Sequence, residues 1–246
     1  MGNRFETQDK LIAATRKIII EEGMEATKLE HICKVAGFSR GAFYSNFISK
    51  DDLLTTLAQD EYDGLVSRLR QTIATWDTRS QSESTQASTE LQIESLLFEA
   101  LDAIGVNQSL YVLNSEMLMR SLRDPKWGAQ LLDANNQFIA ELGNALQWIL
   151  DAANRERTQP LRAMTHAVIG VVMRAASIDS WRKATNATPE TLASNTSPST
   201  SQGPLDTTAD ASLSAADSSA KDILMNVLLI LHASSKPIQN SDSLNT

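Results

Sequence analysis

Between positions 40 and 50 the chain sets two cations, Arg40 and Lys50, around a phenol, a hydroxyl and an amide: Tyr44, Ser45 and Asn46. Such groups donate hydrogen bonds to phosphate oxygens and base edges rather than move protons or attack carbonyls. On a helix over 40–47, Phe43 and Phe47 lie four apart and turn inward. Arg40, Gly41, Tyr44 and Ser45 then turn outward, with Asn46 near the boundary. A short helix pinned by two aromatics and showing small, polar and cationic residues outward suits a DNA major groove. Tyr44 is expected to bond a phosphate; the alternative is a surface tyrosine packed on Phe47. Lys50 opposes the macrodipole in the first turn of the next helix, a conflict that a phosphate at that helix end resolves. Arg40, Ser45 and Asn46 are candidates for base edges or phosphates, while Gly41 and Ala42 offer only backbone or methyl contacts. Lys28 and Ser39 complete the candidate DNA-contact set.

No other stretch carries comparable chemistry. His31, His166 and His232 are far apart, and Cys33, the single cysteine, completes neither a zinc site nor a disulfide. Phosphate loop, nucleophile elbow and paired carboxylates are all missing. No catalytic residue, metal or cofactor is therefore expected, and the chain does not read as an enzyme. Its 246 residues carry a net charge of −8, which at first sight argues against nucleic acid. Residues 1–60 hold 8 Lys and Arg against 9 Asp and Glu, a net of −1, so the other −7 lies beyond them. DNA contact must then rest on the local placement of Lys28, Arg40 and Lys50 rather than on a broadly basic face. The opening MGNRFETQDK lacks the apolar core of a signal peptide, and the strongly apolar run 223–231 is too short to span a bilayer. With one cysteine, a soluble cytoplasmic protein is expected.

Helices must position these groups, since no stretch alternates like a strand. The first is predicted over 6–22, with Leu11, Ile12, Thr15, Ile18 and Ile19 on one stripe and Gly23 as its stop. Thr27 and Glu30 read as a capping box for a second helix, Gly37 as its left-handed end, and Ser39 as the cap of a third. Ser49 and Asp52 repeat the box at a fourth helix running to about 76. That helix, about 27 residues at ~1.5 Å each, is a rod of roughly 40 Å. After a polar loop over 77–89, helices are expected over 90–105, 108–122, 126–153, from Pro160 to about 183, and over 216–233. Of residues 185–219, 15 are Ser or Thr and none is Lys or Arg, so 185–215 is predicted to be a disordered insert. Residues 234–246 read as a polar tail.

Residues 10–58, with KLIAATRKIIIEEG, the Ala26–Thr27 pair, AGFSRGAFYSNF and SKDDLL, resemble the N-terminal domain of TetR-family transcriptional regulators. The pattern G-F-S-R-G-A-F-Y-x-x-F followed by S-K-x-x-L is far more specific than a generic helix-turn-helix, although it covers only about a fifth of the chain. Cys33 departs from it, standing where the family commonly has Ala. The resemblance implies an all-α protein. A three-helix helix-turn-helix domain over 1–50, with its motif at 28–47, would join through helix 51–76 to a ligand-binding core over 77–184. It further implies a ligand-responsive repressor that binds a palindromic DNA operator as a homodimer. The alternative is a helical ligand- or protein-binding protein of the same fold that does not read DNA, in keeping with the weakly charged head.

The homodimer would form through the last two helices. Leu161, Met164, Val168, Val171, Ala175 and Ile178 make the first stripe, and Ile223, Leu224, Val227, Leu228, Ile230 and Leu231 the second. The same stripes would also serve as intramolecular core. A cavity for a small apolar effector is implied among Phe98, Tyr111, Met117, Trp127, Phe138, Trp148, His166 and Met173, residues that equally fill an ordinary core.

Overall fold

The stripe predicted for the first helix closes one side of the N-terminal helical cluster. α1, Arg4–Glu22, buries Leu11, Ile12, Ala14, Thr15, Ile18 and Ile19, each large side chain contributing about 1.5–3 kcal/mol relative to exposure. The structure is a computed structural model and describes residues 4–82, 89–186 and 208–238. Gly23, at φ +87°, stops α1, and a 3₁₀ turn over Met24–Ala26 leads to α2, Leu29–Ala36. Here the predicted cap shifts. Lys28 occupies the N-cap without a side-chain bond, and Thr27 instead donates its hydroxyl back to Met24 O at 2.6 Å. The 3₁₀ turn, invisible to the spacing argument, supplies the nearer acceptor. Gly37 takes the left-handed conformation, φ +74°, and the Phe38 N–H donates to Cys33 O at 2.9 Å, closing α2. Ser39 Oγ accepts from the Ala42 N–H at 3.2 Å to open α3, Arg40–Tyr44, three residues shorter than predicted.

Ser49 Oγ accepts from the Asp52 N–H at 3.0 Å, and the Asp52 carboxylate accepts from the Ile48 N–H at 2.9 Å. Together they open α4, Lys50–Ser82. It outruns its expected end by six residues, and within that stretch Thr78 and Ser80 donate their hydroxyls back to Ala74 O and Asp77 O. Residues 83–88 of the expected loop lie outside the described residues. α5, Thr89–Ile104, and α6, Gln108–Arg123, follow as predicted within a residue, the latter capped by Asn107. α7 spans Pro125–Ala152 and starts on the proline that ends its predecessor.

Contacts group the chain into two units: Met1–Thr85 with Ala100–Ala145, and Gln86–Glu99 with Leu146–Thr246. The first unit thus holds the head together with α4 and α6, and α6 packs on α1. In the second unit α8, Leu161–Asn186, packs on α9, Thr208–Ala233. α9 begins eight residues before 216, so the backbone of 208–215 is helical rather than part of the insert. Residues 187–207 and the tail from 239 onward lie outside the described residues. Two short antiparallel strands that the sequence pattern did not reveal, β1 (Arg155–Arg157) and β2 (Ser235–Pro237), pair Arg155 with Pro237. Arg155 also donates from Nε to Ser235 Oγ at 2.8 Å. Three residues are too few to show alternation.

The apolar stripe of α8 divides. Its buried row is Met164, Val168, Val172, Ala176 and Ser180, an i, i+4 ridge of the kind that packs helix on helix, and not the heptad row. Val171, Ala175 and Ile178 are left half-buried. The window Leu161–Arg182 has the length and mean hydropathy, 1.2, of a membrane-crossing helix, and a third of it is buried within the chain.

Candidate nucleic-acid interface

α3 is held by its aromatics. Phe43 is fully buried and Phe47 nearly so, their ring centroids 5.7 Å apart. This leaves Arg40, Gly41, Tyr44 and Ser45 exposed and Ala42 and Asn46 half-buried. Lys28, Ser39 and Lys50 are also exposed, at the N-cap of α2, the N-cap of α3 and the first residue of α4. Tyr44 is 56% exposed, and its ring stands edge-on to Phe43 at 5.3 Å.

The polar groups on this face differ in readiness. Arg40 Nη1 lies 3.0 Å from Glu30 Oε1 with both side chains mostly exposed. Such a pair is worth about 0–1 kcal/mol, so a phosphate can displace the carboxylate cheaply. Ser45 donates to Gly41 O and Asn46 Nδ2 to Ala42 O, both at 2.8 Å. The Ser45 hydroxyl proton and one of the two Asn46 amide protons are used on carbonyls of α3, and Asn46 Oδ1 is buried without a partner among the described residues. A phosphate contact by Ser45 therefore requires an exchange of its bond, Asn46 keeps one amide N–H on a half-buried side chain, and Tyr44 and Lys50 are exposed.

Sequence reasoning missed the Glu30–Arg40 pair, reading Glu30 only as a capping partner. No helical spacing relates residues ten apart across a turn. His31 Nε2 meets Glu22 Oε1 at 2.8 Å. Burial pushes the Cys33 thiol up, with the Arg40 charge opposing, so it stays a protonated, unreactive core group.

The eight candidate effector residues fall in both units. Met117, Trp127 and Phe138 are buried in the first, where Phe138 lies 6.3 Å from the Tyr62 ring, and Tyr111 is half-buried. In the second, Trp148 and Met173 are half-buried, while His166 and Phe98 are exposed, Phe98 by 59%. Leu96 and Leu97 take the inward side of α5 at that level. Among the described cavities, Trp127 borders one of about 10 Å³ with Thr55, Ala58 and Leu131. That volume is close to the limit for one water and far below that of a drug-sized pocket. On the second unit an open groove of about 590 Å³ runs along Gly170, Val171, Arg174, Ala175 and Ile178 of α8 to Asp222 and Asn226 of α9. On the same two helices Trp181, Met225 and Leu229 are each about 60% exposed.

Residues 11–57 match the family described as bacterial regulatory proteins, tetR family. The transcriptional regulator UidR of Escherichia coli strain K12 is 25% identical over 138 residues, 55% of this chain and 63% of that protein. The match thus spans less than two thirds of the relative's length. A solved TetR-family regulator from Mesorhizobium loti superposes with a TM-score of 0.58 at 14% identity, over 95% of this chain and 96% of that one. Bacillus subtilis FadR, solved in complex with stearoyl-CoA, superposes with a TM-score of 0.55 at 15% identity, over 72% of this chain and 88% of that one. At these identities the structural likeness establishes the fold.

Proposed function

We propose that the chain is a DNA-binding regulator of the TetR family, a cytoplasmic repressor released by an effector that carries an apolar acyl chain. One observation carries the DNA half of this reading. Within the matched residues, α3 turns Arg40, Gly41, Tyr44 and Ser45 to solvent while Phe43 and Phe47 hold it from below. Tyr44 and Lys50 then grip phosphates, Lys28 adds charge at the edge, and Arg40 reaches a base edge or phosphate after giving up Glu30.

A five-residue helix touches few base pairs, so specificity calls for a second copy and a palindromic operator. The exposed apolar residues and groove on α8 and α9 are where that copy docks in this reading. The effector half is supported by the FadR structure, whose ligand is an acyl-CoA on this same fold. The ~10 Å³ cavity at Trp127 must open if an acyl chain is to enter there. Ligand binding and a shift in the helices around Met117, Trp127 and Phe138 are then one event.

The test is fluorescence anisotropy of the full chain on its own upstream intergenic DNA against a scrambled duplex, at two salt concentrations. Selective binding that weakens with salt and is reversed by a long-chain acyl-CoA is the expected result. Equal binding to both duplexes at either salt, followed by no enrichment from random duplexes, overturns the DNA-reading function. Selective binding that no acyl-CoA reverses overturns the effector class alone.

A further inference from the structure

The first turn of α4 sets two acids beside Lys50, Asp51 and Asp52, which suit the helix macrodipole but oppose an approaching phosphate. Asp52 is engaged by the Ile48 N–H. Asp51, its side chain 68% exposed, is met from α6 by Arg120, whose Nη2 donates to Oδ1 at 2.7 Å. Arg120 is a built-in group rather than a surface arginine. Its side chain is only 16% exposed, and its guanidinium carbon lies 5.1 Å from the Trp127 ring centroid. A second carboxylate, Asp124, waits 3.8 Å from the same nitrogen. The Arg120 Nε is buried without a partner among the described residues, so Asp51 takes one arm of a fork that ordinarily grips a carboxylate with two.

We infer that Arg120 is a positioning residue for operator binding: it cancels Asp51 beside Lys50, so that the first turn of α4 can accept a phosphate. The inference rests on the DNA-reading function proposed above and specifies how that function is controlled. Arg120 is rooted near the C-terminal end of α6, against Trp127 of α7, so a displacement of that corner withdraws the cation and leaves an anion facing the DNA backbone. The single-armed bond makes withdrawal easy, since Asp124 is close enough to take the guanidinium over. Control of this kind changes the charge presented to DNA without any movement of α3.

Operator affinity would be measured for the unaltered chain, R120Q, D51N and R120Q/D51N at two salt concentrations, with melting temperatures alongside. R120Q should bind roughly tenfold more weakly at about 0.1 M salt, and the deficit should shrink at higher salt. D51N should bind at least as tightly as the unaltered chain, and the double variant should return to within about threefold of D51N. A double variant as weak as R120Q overturns the inference, because lost packing of Arg120 against Trp127 is not rescued by neutralising Asp51. If R120Q does not fold, R120K decides: charge cancellation keeps its affinity within about threefold whatever its melting temperature, and a fall in step with the melting temperature overturns the inference. Failure of the unaltered chain to select any operator overturns the DNA-reading function and this inference with it, a result distinct from failed rescue.

Discussion

Tyr44 spends its ring on Phe43 and leaves its hydroxyl on a face where nothing must move before it can donate. Phosphate only accepts hydrogen bonds, and a bond to a charged oxygen is worth about 1.5–3 kcal/mol. Tyr44→Ala is therefore expected to weaken operator binding at least tenfold with its melting temperature almost unchanged. Tyr44→Phe should reproduce most of that loss, and wild-type affinity in both variants would remove Tyr44 from the interface. Tyr62 shows the opposite use of the same side chain. It is 6% exposed, its hydroxyl accepts from Asn114 Nδ2 at 3.2 Å, and burial pushes the phenol up, with the Asn114 bond opposing. A folded-state value above the unfolded one, near 10, means that the folded chain holds this proton more tightly. The stability linked to it is fully present below about pH 10 and is lost as pH rises through the folded value. Thermal melts from about pH 8 to pH 11 should show Tyr62→Phe less stable at the low end, by about 0.5–1.5 kcal/mol for the lost bond, but losing less on the way up. Parallel curves for the two proteins would remove Tyr62 as the source of alkaline sensitivity.

Elements meet through backbone as well as side chains, and the junction of α6 and α7 is the tightest case. A Cβ on Gly128 would lie 2.7 Å from the carbonyl oxygen of Ser121, a backbone atom that cannot swing aside. Alanine is the better helix former by about 1 kcal/mol, yet here overpacking of about 1–3 kcal/mol should dominate. Gly128→Ala is expected to melt at a lower temperature by circular dichroism, and an equal or higher one would show that the junction gives way. Nothing in the sequence announces this contact, because closeness between Ser121 and Gly128 is a product of how two helices turn a corner. What was legible is local. Gly37, Ser39, Ser49 and Asp52 each act on their own few residues, and each appears in its predicted capping role. Thr27 fails for the converse reason, since an unseen 3₁₀ turn brought a competing acceptor. On α8 the heptad row was visible, but which side of the helix α9 would cover was not. The i, i+4 ridge from Met164 to Ser180 took that place. Of the candidate site, the outward face of α3 could be read from the two phenylalanines, whereas the partners of Arg40 and Asp51 come from other helices and leave no periodic trace.

At the scale of the whole molecule the question is how so small a reading surface becomes selective. In the proposed reading, two heads on one palindrome must be held about 34–36 Å apart to enter successive major grooves. A single head forfeits the high effective concentration that the first contact gives the second. The second unit has the surface such pairing needs. Leu229 and Met225 lie four apart on α9, 61% and 58% exposed, beside the α8–α9 groove, and Trp181 is 60% exposed on α8. Arg174 and Arg182 on α8 and Asp222 on α9 line that groove. In a twofold pairing each charge on one copy can face its opposite on the other, because both copies offer the same patch. Leu229→Glu places a carboxylate in the middle of that apolar surface and leaves the first unit untouched. If the proposed pairing holds, the unaltered chain sediments as a dimer and Leu229→Glu as a monomer at the same concentration, with operator affinity lower on the order of 10²-fold. Its weak, salt-sensitive binding to any duplex should persist, since Tyr44 and Lys50 remain in place. A variant that stays dimeric would move the interface off these two helices. A monomer that still binds the operator at full strength would show that one head carries the selectivity alone.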